Sequence, residues 1–172
     1  MNRDKLFESA KSVGADISMF HAPDRKWKNY YYEDEEQNAL FLAPSNLSYG
    51  LIVVDLDWAR QARFITKDGA IHMLKDYAWN MSSSKRNTSY VKTAVTDRSI
   101  KCGRKTIILG LLVLGRLFEI NESADRIAVN YLNGNTLDNR RINLSYGILK
   151  DNNNNRYSNN IPEIKYPCKI WW

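Results

Sequence analysis

Residues 129–144, VNYLNGNTLDNRRINL, gather amides, one carboxylate, two guanidinium groups and a phenol at short, fixed offsets. Each type has a plain chemical use. Amide oxygens can ligate hard cations, and guanidinium forks match the oxygens of phosphate groups. The phenol of Tyr131 is the odd member. It titrates near 10, so only about a thousandth is ionised at pH 7, and it makes a poor base there. Asn133-Gly134-Asn135 reads as a tight turn, because glycine admits positive φ cheaply. The stretch is a candidate loop for binding, or acting on, a phosphate-bearing partner.

Charge supports a polyanionic partner. Residues 1–97 carry 13 Lys and Arg against 13 Asp and Glu, whereas residues 98–172 carry 12 against 6. The whole net charge of +6 therefore lies in the half that holds the loop. Nucleic acid is the simplest partner. Within that half, residues 152–155 are four consecutive asparagines, which read as low-complexity padding unless their position gives them work.

The remaining composition narrows the class. Hydrophobic residues at 44% of 172 suffice for one domain with a real core. The apolar run IILGLLVL, residues 107–114, is too short to span a membrane. The N-terminus MNRDKLFESA carries acids where a signal peptide has its apolar region, so a cytoplasmic location is expected and no membrane partner. Cys102, Cys168, His21 and His72 have no metal-ligand spacing, and the cysteines read as free thiols.

The elements that must hold the loop can be sketched from periodicity. Residues 3–13 predict a short amphipathic helix, and 21–46, with Pro23, three tyrosines and the acids 33–36, an irregular connection. Trp27 and Tyr30–Tyr32 either stack bases or dock on the protein's own surface, and the acids beside them favour docking. Residues 49–58 suggest a strand ending in a turn. Residues 89–96 alternate like a half-exposed strand, 90–97 and 105–109 suggest a hairpin about Gly103, and 111–118 a short helix. Strands follow at 127–132 and 145–149, with Asp138 capping a helical turn between them and Asp151 capping a helix after them. The result is an α+β chain: an N-terminal helical and irregular extension (1–46), a domain over 47–157 whose core is 105–157, and a tail (158–172).

Two strands about this loop, followed by a helix, give a ββα unit that resembles the HNH, or ββα-metal, endonucleases, particularly the phage and intron homing type. That family carries a pattern like (Asp/Asn)-His-x-(Asp/Asn)-Gly-Asn-x-x-(Asp/Asn)-Asn-Arg-x-x-Asn-Leu. Here it stands as Asn130-Tyr131-Leu132-Asn133-Gly134-Asn135, then Asp138-Asn139-Arg140 and Asn143-Leu144, with Asn152, Asn155 and Arg156 at the family's later offsets. Upstream, Val54-Asp55-Leu56-Asp57, Tyr77-Ala78-Trp79 and Leu109-Gly110-Leu111 resemble further marks, so the likeness covers about residues 47–157. Both histidines of the pattern are replaced, one by Tyr131 and the other by Gly110.

The resemblance implies a small-antiparallel-β region leading into a ββα-metal core, and a role for each residue. Asn130 and Asn152 would hold Mg²⁺ or another divalent cation, and two neutral amides would hold it weakly. Tyr131 would stand in the place of the general base, and Asn143 would brace the loop. Gly134 would supply the turn, while Arg140, Arg141, Lys150 and Arg156 would contact phosphates. Three functions stay open: a nucleic-acid-binding protein degenerate in catalysis, with no cofactor; an active metal-dependent endonuclease using Tyr131 as base; or a structural component docking through residues 1–46 or Trp171 and Trp172.

Overall fold

A computed structural model describes residues 3–46, 49–82, 89–115, 127–148 and 160–169. Its elements, in chain order, are α1 (Arg3–Ser12), β1 (Tyr31–Asp34), β2 (Ala39–Leu42), β3 (Ile52–Asp55), α2 (Leu56–Gln61), β4 (Arg63–Ile65), β5 (Ile71–Met73), β6 (Asn80–Met81), β7 (Val91–Thr96), β8 (Arg104–Ile108), α3 (Leu109–Val113), β9 (Ile127–Tyr131) and β10 (Leu144–Ile148). The strands form small antiparallel sheets, β1-β2-β3, β4-β5, β6-β7-β8 and β9-β10, joined by few and short helices. The chain is of mixed α+β class.

The sheet β1-β2-β3 is covered on both faces, because alternate residues of a strand point to opposite sides. Leu40, Leu42, Ile52 and Val54 enter the main core with Phe64, Leu74, Trp79, Val91, Val95, Ile107 and Leu109. Phe41, Val53 and Leu51 enter a second cluster with Leu6 of α1, against which Tyr32 and Tyr166 pack. Two-sided burial explains why 39–43 and 51–54 read as continuous apolar runs. Each such fully buried side chain stabilises the fold by about 1.5–3 kcal/mol.

The sheet also corrects the sequence reading of 21–46. That segment is not irregular: it contains the hairpin β1–β2, in register Tyr31↔Leu42 through Asp34↔Ala39, and its second strand pairs with β3 beyond residue 46. The acids that obscured it are neutralised from afar. Glu33 accepts from the Trp27 indole at 2.9 Å and from Arg60 at 3.0 Å, and Glu35 pairs with Arg60 as well. Trp27 and Tyr31 are buried in the core, so docking on the protein's own surface is what these aromatics do.

Elsewhere the local signals hold. β7 and β8 pair from Lys92↔Ile108 to Thr96↔Arg104, and β7 alternates between buried Val91, Thr93 and Val95 and less buried neighbours. The short helix begins earlier than expected, at Leu109 rather than 111, directly from β8. It also ends earlier than the expected Phe118, at Val113, because Leu114 and Gly115 (φ +72°) turn the chain; the helix expected to open at Asp151 lies outside the described residues. The 160–169 segment, expected as a tail, is strapped to the body: Gln37 donates to the Lys165 carbonyl at 2.6 Å and the Asp16 N–H to that of Pro167 at 2.7 Å. Among the described residues no helix is long and apolar enough to cross a membrane.

Candidate functional site

The strands β9 and β10 form a hairpin with Tyr131 opposite Leu144, and the loop between them is organised by its own side chains. Gly134 takes φ +76° and donates its N–H to the Tyr131 carbonyl at 2.9 Å, the turn its position required. Asn143 is fully buried and braces the loop from inside. Its carbonyl oxygens accept from Leu132 N–H and Asn133 N–H, both at 2.8 Å, and its Nδ2 donates to the Asp138 carbonyl at 2.8 Å. Asn133 and Asn135 close the tip by accepting the Asn135 and Leu137 N–H groups. The asparagines thus serve as backbone partners, which is why amides recur at these offsets.

Asp138 was expected to cap a helical turn. The structure gives it another task. Its carboxylate, with no exposed surface, receives a two-point fork from Arg140, Nε at 2.9 Å and Nη2 at 2.8 Å, and a third bond from Asn133 Nδ2 at 2.8 Å. A 3₁₀ turn follows at Arg141–Asn143, led in by Arg140. Arg140 Nη2 also donates to the Pro162 carbonyl at 2.7 Å, and its side chain retains only 12% exposure. The guanidinium is raised further above its usual range, first by its bond to Asp138. An arginine held this way has little left for phosphate, so the expected phosphate contact at Arg140 is an internal ion pair.

The loop is carried by β3. Val53 N–H donates to the Leu137 carbonyl at 2.9 Å and Asn139 N–H to the Val53 carbonyl at 2.8 Å, a one-step parallel bridge onto the sheet edge. This docking, invisible in the sequence, brings Arg141 to α2. The Arg141 N–H donates to Asp55 Oδ2 at 2.8 Å, and its guanidinium lies 3.6 Å from both Asp55 and Asp57 while staying 55% exposed. The aspartates of the Val-Asp-x-Asp stretch therefore meet the loop through Arg141.

Tyr131 and Val129 share one face of β9, and Gly110 of α3 lies against both. A Cβ built on Gly110 would stand 2.9 Å from Val129 Cγ1 and 3.2 Å from the Tyr131 hydroxyl. The phenol packs on the main core and donates to Asn139 Oδ1 at 3.3 Å. Desolvation alone pushes its pKa well above the ordinary phenol value. Among the described residues nothing favours the phenolate, so a proton-accepting Tyr131 would have to work against these surroundings at neutral pH.

No family model, curated protein or solved structure matches the chain.

Of the assigned residues, the structure joins Tyr131 to Gly110 and Asn139, and Asn143 to Asn133, Asp138 and Arg140. Arg141 stands apart beside α2. Asn130 lies half-buried on β9 opposite Ser145, with its side chain on the strand face away from Tyr131. Lys150, Asn152 and Arg156 lie outside the described residues, as do Trp171 and Trp172. Of the two residues the resemblance assigns to a divalent cation, only Asn130 is among the described residues. The loop's carboxylate is engaged by Arg140 and Asn133, and Asn130 offers one neutral oxygen; among the described residues no group of three His, Cys, Asp or Glu side chains converges.

Proposed function

We propose that this chain is a nucleic-acid-binding protein built on an HNH-type scaffold and degenerate in catalysis. In this reading β9, the loop, β10 and the segment from Asp151 make up the ββα unit, and DNA is the expected partner. Three observations support it. The spacing from Asn130 to Arg156 follows the family pattern, the net charge of +6 lies entirely in residues 98–172, and the loop is fully braced.

The observation that carries it is the pairing of Tyr131 with Gly110. At both positions where the pattern has an imidazole, the side chain is unsuited to take a proton: one is glycine, the other a desolvated phenol that donates to Asn139. Mg²⁺ then has no catalytic role, and the scaffold is left with its phosphate contacts. Arg140 is taken up by Asp138, so these contacts fall to Arg141, Lys150 and Arg156.

The test is a pair of assays on the intact protein. Binding to short DNA should weaken steeply with salt, as phosphate neutralisation releases counterions. Supercoiled plasmid should stay intact with Mg²⁺ or Mn²⁺ from pH 7 to pH 9.5. Metal-dependent nicking that climbs with pH would replace this reading with an active endonuclease.

A further inference from the structure

A cleft of about 340 Å³ opens between α2, the start of β4 and the turn after the loop, lined by Asp57, Trp58, Gln61, Ala62, Arg63 and Arg141. That size is at the lower end of the range for small-ligand pockets, about 300–1,000 Å³. Its lining carries two guanidinium groups against one carboxylate. An indole, a primary amide and a guanidinium come from 58–63, and a second guanidinium arrives only because the loop docks on β3.

We propose that this cleft receives one unpaired nucleotide of a nucleic acid, the base against the Trp58 indole and the phosphate between Arg63 and Arg141. The proposal rests on the nucleic-acid-binding reading above and names where a strand would be held. Trp58 is half-buried: it packs against the main core and also lines the cleft. Stacking on such a ring is tolerant of base identity, since every base has a π-face. Arg63 opens β4 with its side chain outward, while the next residue, Phe64, is buried.

Asp57 and Asp55 oppose an anion here, and their effect is limited. Asp57 Oδ1 accepts from Asn38 Nδ2 and from the Trp58 N–H, at 2.9 and 2.7 Å. Both guanidinium–carboxylate distances of Arg141 are 3.6 Å on an exposed side chain, a geometry worth little and screened by salt. A phosphate can therefore recruit Arg141 at small cost, with bidentate geometry that the aspartates do not use. The carboxylate of Asp57 is left to favour a base edge carrying N–H donors. A paired, stacked base does not show its face to an indole, so duplex is excluded from the cleft.

The experiment titrates the full chain with a short labelled oligonucleotide of mixed sequence, as a single strand and as a duplex of the same length, following anisotropy and tryptophan emission. The single strand should bind more tightly and quench emission. Trp58→Phe should keep most affinity and lose the larger part of the quench, and Trp58→Leu should weaken single-strand binding about tenfold. Arg63→Gln changes an exposed residue and keeps the test valid if Trp58→Leu fails to fold; it should weaken binding and lower the salt slope by about one. Binding by the parent with unchanged quench in Trp58→Phe and unchanged affinity in Arg63→Gln would overturn the cleft while leaving nucleic-acid binding in place. Equal affinity for duplex would overturn the unpaired-nucleotide assignment. No binding of either probe would remove both readings.

Discussion

The hydroxyl of Tyr131 lies 3.2 Å from the point where a Cβ on Gly110 would stand. In the proposed HNH-type reading these are the two positions at which the pattern carries histidine, 21 residues apart in this sequence. The larger side chain on β9 fills space that the missing one on α3 leaves. A change at either position is therefore felt at the other.

Gly110→Ala should destabilise the fold by about 1–3 kcal/mol, as overpacking does, because the methyl meets Val129 Cγ1 at 2.9 Å as well as the phenol. Tyr131→Phe removes the hydroxyl and should make the same change cheaper. A double-mutant cycle by urea unfolding measures the coupling, and strict additivity would mean that the contact carries no energy.

Tyr131→His should not create metal-dependent nicking. An imidazole is a competent base at neutral pH, but the Gly110 side is still empty of a partner and the loop's carboxylate is still bound to Arg140. A plasmid nicking assay decides it. Cleavage by the parent that vanishes in Tyr131→Phe is the contrary result.

Stability should fall above about pH 10. Burial raises the Tyr131 phenol above its ordinary value of 10.0, and Tyr31 is pushed up to about 12, first by burial and then by its bond to Asp24. Below pH 10 both are protonated whether folded or unfolded. Above it the unfolded chain releases protons that the folded chain retains, so the unfolded state gains. Thermal unfolding from pH 8 upward should show the loss, and Tyr131→Phe should flatten it. An unchanged profile in that variant would remove Tyr131 as a source.

The adjacent arginines should part company. Arg140→Ala leaves the buried Asp138 without its ion-pair partner and should cost about 3 kcal/mol or more, with no change in the salt slope of binding by the folded protein. Arg141→Ala breaks only long pairs, 3.6 Å from an exposed guanidinium, keeps the backbone bond to Asp55, and should leave stability within about 0.5 kcal/mol. Its effect should appear instead as a salt slope shallower by about one. Urea unfolding and salt-dependent binding, run on both variants, give the answer; reversed behaviour would exchange the two roles.

What was legible beforehand was local. The hairpin β7–β8 follows from the alternation of Val91, Thr93 and Val95 and the turn through Gly103, and the loop tip from Gly134 with Asn133 and Asn135. Asn143 was assigned its bracing task from the family pattern, and its bonds reach no further than Leu132. Signals of this kind span a few residues, so neighbouring side chains suffice to write them.

The rest depended on segments far apart in the chain. β1 looked irregular because Glu33 and Glu35 carry charge, and Arg60, the residue that neutralises them, is 25 to 27 positions away. The assignment of Arg140 and Arg141 could not be made from adjacency. One is folded inward over Asp138 beneath Pro162, and the other is placed beside α2 by the bridge from Val53 to the loop. Arg141 joins the cleft around Trp58 and Arg63 only once that bridge forms. Periodicity and residue type report which face of a strand is buried, but not which distant segment covers it, and here the covering segment decides which charges remain open to a partner.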